Sequence, residues 1–127
     1  MKRTVLGIVA GIAVWLVAVT LVDLILRAAL AGYHEAEATF AFTLAMQLAR
    51  LAESAVACLA AGYTAAWVAQ GNQNAPRVVG IVLLALFVPM HVRLWNKFPV
   101  WYHLVFLISL LPLIALGGLL QRRPRPA

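Results

Sequence analysis

The residues best suited to chemistry lie inside a long apolar run, from Ala38 to Val68. Within it, one short stretch brings together a cation, an anion and two neutral polar groups: Gln47, Arg50, Glu53 and Ser54. A run of this length crosses a bilayer, and an ionised side chain at the bilayer centre costs on the order of 3 kcal/mol on insertion scales. Such groups persist where they face protein or water. The stretch therefore predicts a polar site inside a membrane protein.

A second charged pair lies near the end of the preceding apolar run. Asp23 and Arg27 are one helical turn apart with the acid first, the favourable order for a pair along one helix. Counting from the intervening turn places Arg50 about 18 Å into the second helix, close to mid-bilayer and level with about Thr20, and it places Asp23 level with about Gln47. Asp23, Arg50 and Glu53 could bind an ion, a proton or an anionic group, or they could pair and hold the hairpin together. The two acids and two bases cancel in formal charge, which favours the structural interpretation.

Three histidines form a second candidate set. His91 and His103 lie on either side of the turn at 96–99, about five residues from it, so the sequence predicts that they have similar depth. His34 belongs to the same side of the membrane. Two imidazoles from facing helices could ligate haem, copper or zinc, although HxxxH, CxxC and HExxH spacings are absent from the sequence. We expect the two side chains to lie within roughly 10 Å, with no shared metal and no cofactor.

Composition assigns the chain to the membrane class. Of its 127 residues, 65% are hydrophobic and 11% charged, whereas soluble domains carry about 25% charged residues. The net charge of +6 could suggest nucleic acid, but the basic residues lie mostly at the ends of apolar segments. The bilayer is therefore the expected partner, and nucleic acid is not. The lone cysteine, Cys58, cannot form an internal disulfide and is expected to be a packing residue.

The sequence predicts a single integral membrane domain: an all-α, antiparallel bundle of four spans at about 4–30, 38–69, 77–95 and 99–120. A cleaved signal peptide is the alternative for the first span. That run, however, is longer than the usual signal core of about 7–15 residues and contains charges. Basic residues flanking the spans predict both termini in the cytoplasm of a bacterial inner membrane. One side carries Lys2, Arg3, Arg77, Arg122, Arg123 and Arg125, and the other carries Arg93 and Lys97.

Two helix faces are suited to close packing. Gly7 and Gly11 form a small-xxx-small step on the first helix. The second predicted helix carries a stripe of polar and small residues, and its leucine-rich side should face lipid. The stripe consists of Thr39, Thr43, Gln47, Arg50, Glu53, Ser54, Ala57, Ala61 and Thr64.

Three classes of function remain open from these features. The favoured one is a structural or accessory protein that packs with copies of itself, or with a membrane-protein partner, through the polar and small-residue face. The second is a small oligomeric transporter or channel with a charged intramembrane site. The third is a metal- or haem-binding membrane enzyme that uses the histidines. The sequence contains no nucleophile triad, P-loop or dinucleotide fingerprint, so an enzyme is the less favoured reading.

Overall fold

The computed structural model describes residues 2–39 and 42–121, apart from the side chain of Glu37. The regular structure of these residues is helical throughout: α1 (Lys2–Ala29), α2 (Tyr33–Thr39), α3 (Leu44–Val68), α4 (Asn74–Arg93) and α5 (Val100–Gln121). The helices α1, α3, α4 and α5 are long and apolar enough to cross a membrane, so the predicted four-span bundle is confirmed. The chain is a small integral membrane protein. The basic tail residues Arg122, Arg123 and Arg125 lie outside the described residues.

The two ends of the bundle differ in character. The aromatic end carries α2 and the turn between α4 and α5. The termini end carries Lys2, the turn between α3 and α4, and Gln121. Which end faces the cytoplasm stays a prediction. The first, third and fourth spans begin and end within three residues of their predicted bounds.

The second predicted span is where the structure departs from expectation, because 38–69 is not one helix. Thr43 starts a new helix: it has extended backbone angles, and its hydroxyl accepts a hydrogen bond from the Met46 amide at 3.2 Å. A side-chain oxygen at this position satisfies an amide that has no carbonyl partner within the helix. Arg50 consequently lies six residues into α3, about 9 Å from its start. It is closer to the aromatic end than the predicted mid-bilayer position.

The central helix of the bundle is α3. It packs against α1 on one side and α5 on the other, and α4 contacts all three. The α3 surface in the interior is made of small residues with no solvent exposure, among them Ala57, Ala61 and Ala65. Larger apolar side chains of α4 and α5 fill the space around them: Val79, Leu83, Leu110 and Ile114. Small residues let helix backbones approach closely, and in a membrane that packing is a main source of helix association.

The predicted glycine face does receive another helix, and that helix is α3 of the same chain. A Cβ atom added at Gly7 would lie 2.5 Å from the Ala65 carbonyl oxygen, and one at Gly11 would lie 3.0 Å from that of Ala61. On the other side of α3, Gly62 lies directly against the Ile114 backbone of α5. Close approach at Gly7 and Gly62 requires glycine, since a Cβ there would meet a backbone carbonyl first. At Gly11 a Cβ would meet the Ala65 and Val79 side chains as well as the Ala61 carbonyl.

Most of the predicted polar and small-residue stripe turns inward, but Thr39 and Thr43 at its start are exposed, and Arg50 and Thr64 are partly buried. Its buried members include Gln47, Glu53, Ser54, Ala57 and Ala61, whereas Leu44 and Leu48 on the opposite side are 63% and 52% exposed. The faces that the sequence suggested for partner contacts are therefore occupied by helices of this chain.

Candidate functional site at the aromatic end

Arg50 lies inside a cage of four aromatic side chains. Its Nε donates a hydrogen bond to the Tyr102 hydroxyl at 3.2 Å, and its Nη1 donates to the Tyr33 hydroxyl at 3.1 Å. Its guanidinium carbon lies 4.7 Å from the ring centre of Phe42 and 6.0 Å from that of Phe98. Cation–π attraction is stronger when the cation is withdrawn from water, as it is here. We call Tyr33, Phe42, Phe98 and Tyr102 the aromatic cage.

The cage is itself a packed structure. The Phe98 ring stacks on Tyr102 at 4.5 Å and on Phe42 at 5.5 Å, between ring centres. Tyr33 is fully buried beside Phe42, at the start of α2. Burial raises the pKa of Tyr33 to about 12, although the Arg50 guanidinium opposes that shift. The hydroxyl is thus neutral at physiological pH and accepts the hydrogen bond from Arg50 as a phenol.

A small cavity lies beside Arg50, between the four spans. Its volume is about 80 Å³, and its lining comes from all four long helices: Trp15, Val19, Arg50, Glu53, Ser54, Phe87, Tyr102 and Phe106. Since one water occupies about 30 Å³ of liquid volume, the space suits two or three water molecules. Three of the predicted polar residues, Arg50, Glu53 and Ser54, are therefore brought together around one cavity. Gln47 is buried one turn earlier on the same helix.

Asp23 is not part of this site, which corrects the prediction that it shares a site or pairs with Arg50. Its carboxylate is 3.1 Å from the Arg27 guanidinium, along α1. The Arg27 and Asp23 side chains are 40% and 20% exposed, so the pair lies towards the surface of the bundle. The physical reason is proximity in sequence: a partner one turn away is reached without any change in the packing of α1 against α3.

This geometry predicts a small effect for Asp23→Asn. A partly exposed pair one turn apart contributes about 0.3–0.5 kcal/mol, so the variant should lose less than about 1 kcal/mol of unfolding free energy in detergent. Because Asp23 pairs with Arg27, its effect should add to that of an Arg50 substitution. Reversible unfolding of the two single variants and the double variant measures this. Coupling of 1 kcal/mol or more between Asp23 and Arg50 would contradict it.

The histidines divide into one exposed residue and one buried pair. His34 is exposed on α2. His91 and His103 are 8% and 0% exposed, and their Nδ1 atoms are 2.6 Å apart, which confirms the expected proximity. The outer nitrogen of His103, Nε2, is 3.2 Å from the Trp95 carbonyl oxygen. The predicted set of three is therefore a set of two.

The pair is enclosed by aromatic rings that also belong to the Arg50 site. His91 packs against Phe106 at 4.7 Å and stacks on Tyr102 at 6.3 Å, between ring centres. His103 stacks on Trp95 at 4.8 Å.

Protein-family models, curated proteins and solved structures gave no match to this chain.

The donor set of the histidine pair does not fit a shared metal. The two Nδ1 atoms face each other in a hydrogen bond, and His103 Nε2 is directed to a carbonyl, so one imidazole nitrogen, His91 Nε2, is left as a ligand. Throughout residues 2–39 and 42–121, three or more His, Cys, Asp or Glu side chains do not come together as a metal site. Structural zinc sites use four protein ligands and catalytic zinc sites use three.

Sequence reasoning missed the residues that hold Arg50. The four cage residues Tyr33, Phe42, Phe98 and Tyr102 belong to no motif that would single them out in the sequence. Only the hydroxyls of Tyr33 and Tyr102 distinguish them from other apolar residues of the chain. A buried arginine does demand acceptors, but the sequence does not say which acceptors the fold brings to it.

Proposed function

We propose that this chain is a structural or accessory protein of the membrane, and that its charged site serves to hold its own helices together. The observation that carries this is the pair of hydrogen bonds from Arg50, which lies on α3, to Tyr33 of α2 and Tyr102 of α5. One side chain thus ties three elements at the aromatic end. A cation held by two hydrogen bonds and two aromatic rings of its own chain is better suited to fixing helix positions than to exchanging a solute.

The packing of the interior supports this over transport. Below the cavity, towards the termini end, α3 presents Ala57, Ala61 and Ala65, all without exposure, against well-buried Leu110 and Ile114. A space of about 80 Å³ beside Arg50 has room for two or three waters at one end of the bundle. Solute passage through a single copy of the chain would require this packed core to separate.

An accessory role also constrains where a partner can bind. The glycine and small-residue faces are taken up inside the bundle, so a second copy or another membrane protein would meet the outward apolar surfaces. Among the four spans, α1 has the smallest fraction of buried residues in its most apolar stretch, 17% against 33–39% for the others.

Proteoliposomes provide the test against transport. With purified chain at known density, we expect proton, potassium and chloride fluxes equal to those of empty liposomes, and unchanged by Arg50→Gln.

Site-specific photo-cross-linkers at the outward positions Val17 and Ile108, which are 58% and 68% exposed, test the accessory role in membranes. Cross-linked protein adducts of defined mass, formed from positions on one face of the bundle, support the accessory role. Arg50-dependent flux, or lipid adducts alone at every outward position, would overturn the proposal.

We further propose that the termini end faces the cytoplasm of a bacterial inner membrane, on the basis of the flanking basic residues. A Glu35→Cys variant carries an exposed thiol on α2, and the native Cys58 is buried. A membrane-impermeant thiol reagent added to intact cells with a permeable outer membrane should label it. An Arg77→Cys variant, at the opposite end, is the matched control and should react only after lysis. The reverse pattern would contradict the topology.

A further inference from the structure

The buried histidine pair ends in a backbone carbonyl, and this fixes where its protons are. The Trp95 carbonyl oxygen lies 3.2 Å from His103 Nε2. On the other side of that ring, His103 Nδ1 lies 2.6 Å from His91 Nδ1, and His91 Nε2 is the last nitrogen of the series. A carbonyl oxygen only accepts hydrogen bonds, so His103 Nε2 must carry a proton. In neutral His103, Nδ1 is then an acceptor. His91 Nδ1 must therefore be the donor, which leaves the lone pair of His91 on Nε2.

We propose that His91 and His103 form a single proton-binding site in which His91 Nε2 is the acceptor. A proton added there turns His91 into an imidazolium, and both hydrogen bonds are kept with His91 Nδ1–H still donating to His103. A second proton has no such place. It would have to go to His103 Nδ1, where two N–H groups would then face each other across 2.6 Å. The pair accordingly holds one additional proton, and a second one would break the hydrogen bond between the two rings.

The charged and titratable groups around the histidine pair affect how readily it takes up a proton. From α3, Arg50 lies within electrostatic range of His91 and repels the added proton. Glu53, also on α3, lines the cavity beside Arg50. The same cavity is lined by three aromatic rings that pack against His91: Phe87, Tyr102 and Phe106. From α5, Tyr102 stacks on His91, and its hydroxyl accepts from Arg50. From α2, Tyr33 is bound to Arg50, and on α1 Asp23 and Arg27 pair with each other. Arg50 is therefore the charged group of these that opposes protonation of the pair.

Nitrogen NMR on the full chain in lipid nanodiscs tests the assignment directly. With ¹⁵N-histidine at neutral pH, we expect a protonated Nδ1 on His91, a protonated Nε2 on His103, and a ¹⁵N–¹⁵N coupling across the hydrogen bond between the two Nδ1 atoms. The exposed His34 gives the reference spectrum of an imidazole in water. As the pH falls, His91 Nε2 should gain a proton while the coupling persists. Absence of the coupling at neutral pH, or the opposite tautomers, would overturn the proposal.

Variants separate the two hydrogen bonds. In His91→Ala, His103 should keep its Nε2–H tautomer, because its partner is a backbone carbonyl. In His103→Ala, the tautomer ratio of His91 should shift by about tenfold towards Nε2–H, since one hydrogen bond is lost. His103→Asn retains a side-chain acceptor and should keep His91 in the Nδ1–H form. This asparagine variant also keeps the role of His103 testable if His103→Ala does not fold. An unchanged His91 tautomer in both His103 variants would show that His103 does not set it.

Discussion

Arg50→Met is expected to lower the free energy of unfolding by about 3 kcal/mol. The change removes two hydrogen bonds from a charged donor and the ring contacts of the guanidinium with Phe42, each worth roughly 1–2 kcal/mol when partly buried. It also leaves two buried tyrosine hydroxyls without their donor. Methionine keeps the apolar stem of the side chain as far as the position of Nε, so the loss reports on the charged head. Reversible unfolding in mixed detergent micelles measures the difference.

The control for this variant is Arg27→Met, which removes an arginine that is 40% exposed and paired along one helix. It should cost about 0.5 kcal/mol or less. Tyr33→Phe and Tyr102→Phe each remove one acceptor and should cost about 1 kcal/mol, with the two losses absent when Arg50 is already methionine. If Arg50→Met were no worse than Arg27→Met, Arg50 would not be the tie between α2, α3 and α5.

Gly62→Ala is expected to destabilise the bundle by about 3 kcal/mol or more. Its new methyl group would overlap the carbonyl of Ile114, which belongs to the α5 backbone and cannot move without the helix. Overpacking a dense interior costs about 1–3 kcal/mol when side chains can adjust, and more when backbones must separate. Moving α5 away from α3 would also loosen the contact of Tyr102 with Arg50. The variant should therefore lose both thermal stability and the native near-ultraviolet signal of the aromatic cage.

A matched substitution, Gly80→Ala, distinguishes this effect from a general loss of glycine. There the added methyl would meet Leu111 Cδ2, the far end of a flexible side chain, at 2.5 Å. A leucine rotamer change accommodates it, so the loss should stay within about 1 kcal/mol. Gly117→Ala, which faces the Leu59 backbone of α3 from the α5 side, should resemble Gly62→Ala. Equal effects at Gly62 and Gly80 would show that the close approach of α3 and α5 is not a tight constraint.

Some features of the site follow from local sequence. The inward direction of Gln47, Glu53 and Ser54 follows from helical periodicity, because one face of α3 collects the polar and small residues. The proximity of His91 and His103 follows from a short turn, which makes α4 and α5 antiparallel neighbours. Both arguments use only spacing along the chain, and both hold in the structure.

Other features depend on how the helices rotate and pack against one another. Spacing placed Asp23 level with about Gln47, within a turn of Arg50, but similar depth does not decide whether two side chains face each other. The break before Leu44 also changed the depth on which that comparison rested. Arg50 instead reaches Tyr33 and Tyr102, which are 17 and 52 residues away. Such a choice of partners is made by the rotation of each helix about its axis.

Sequence alone thus determined that this protein crosses the membrane four times, which face of α3 is polar, and that its charges need partners. Apolar length and periodicity decide these, because they depend on the cost of placing polar groups in lipid. Tertiary structure decided which partners are used: an aromatic cage for Arg50, the neighbouring Arg27 for Asp23, and each other for the two histidines. The physical reason is that a side-chain hydrogen bond depends on ångström-scale positions. Those positions are set here by glycine and alanine contacts between helices that are far apart in the chain.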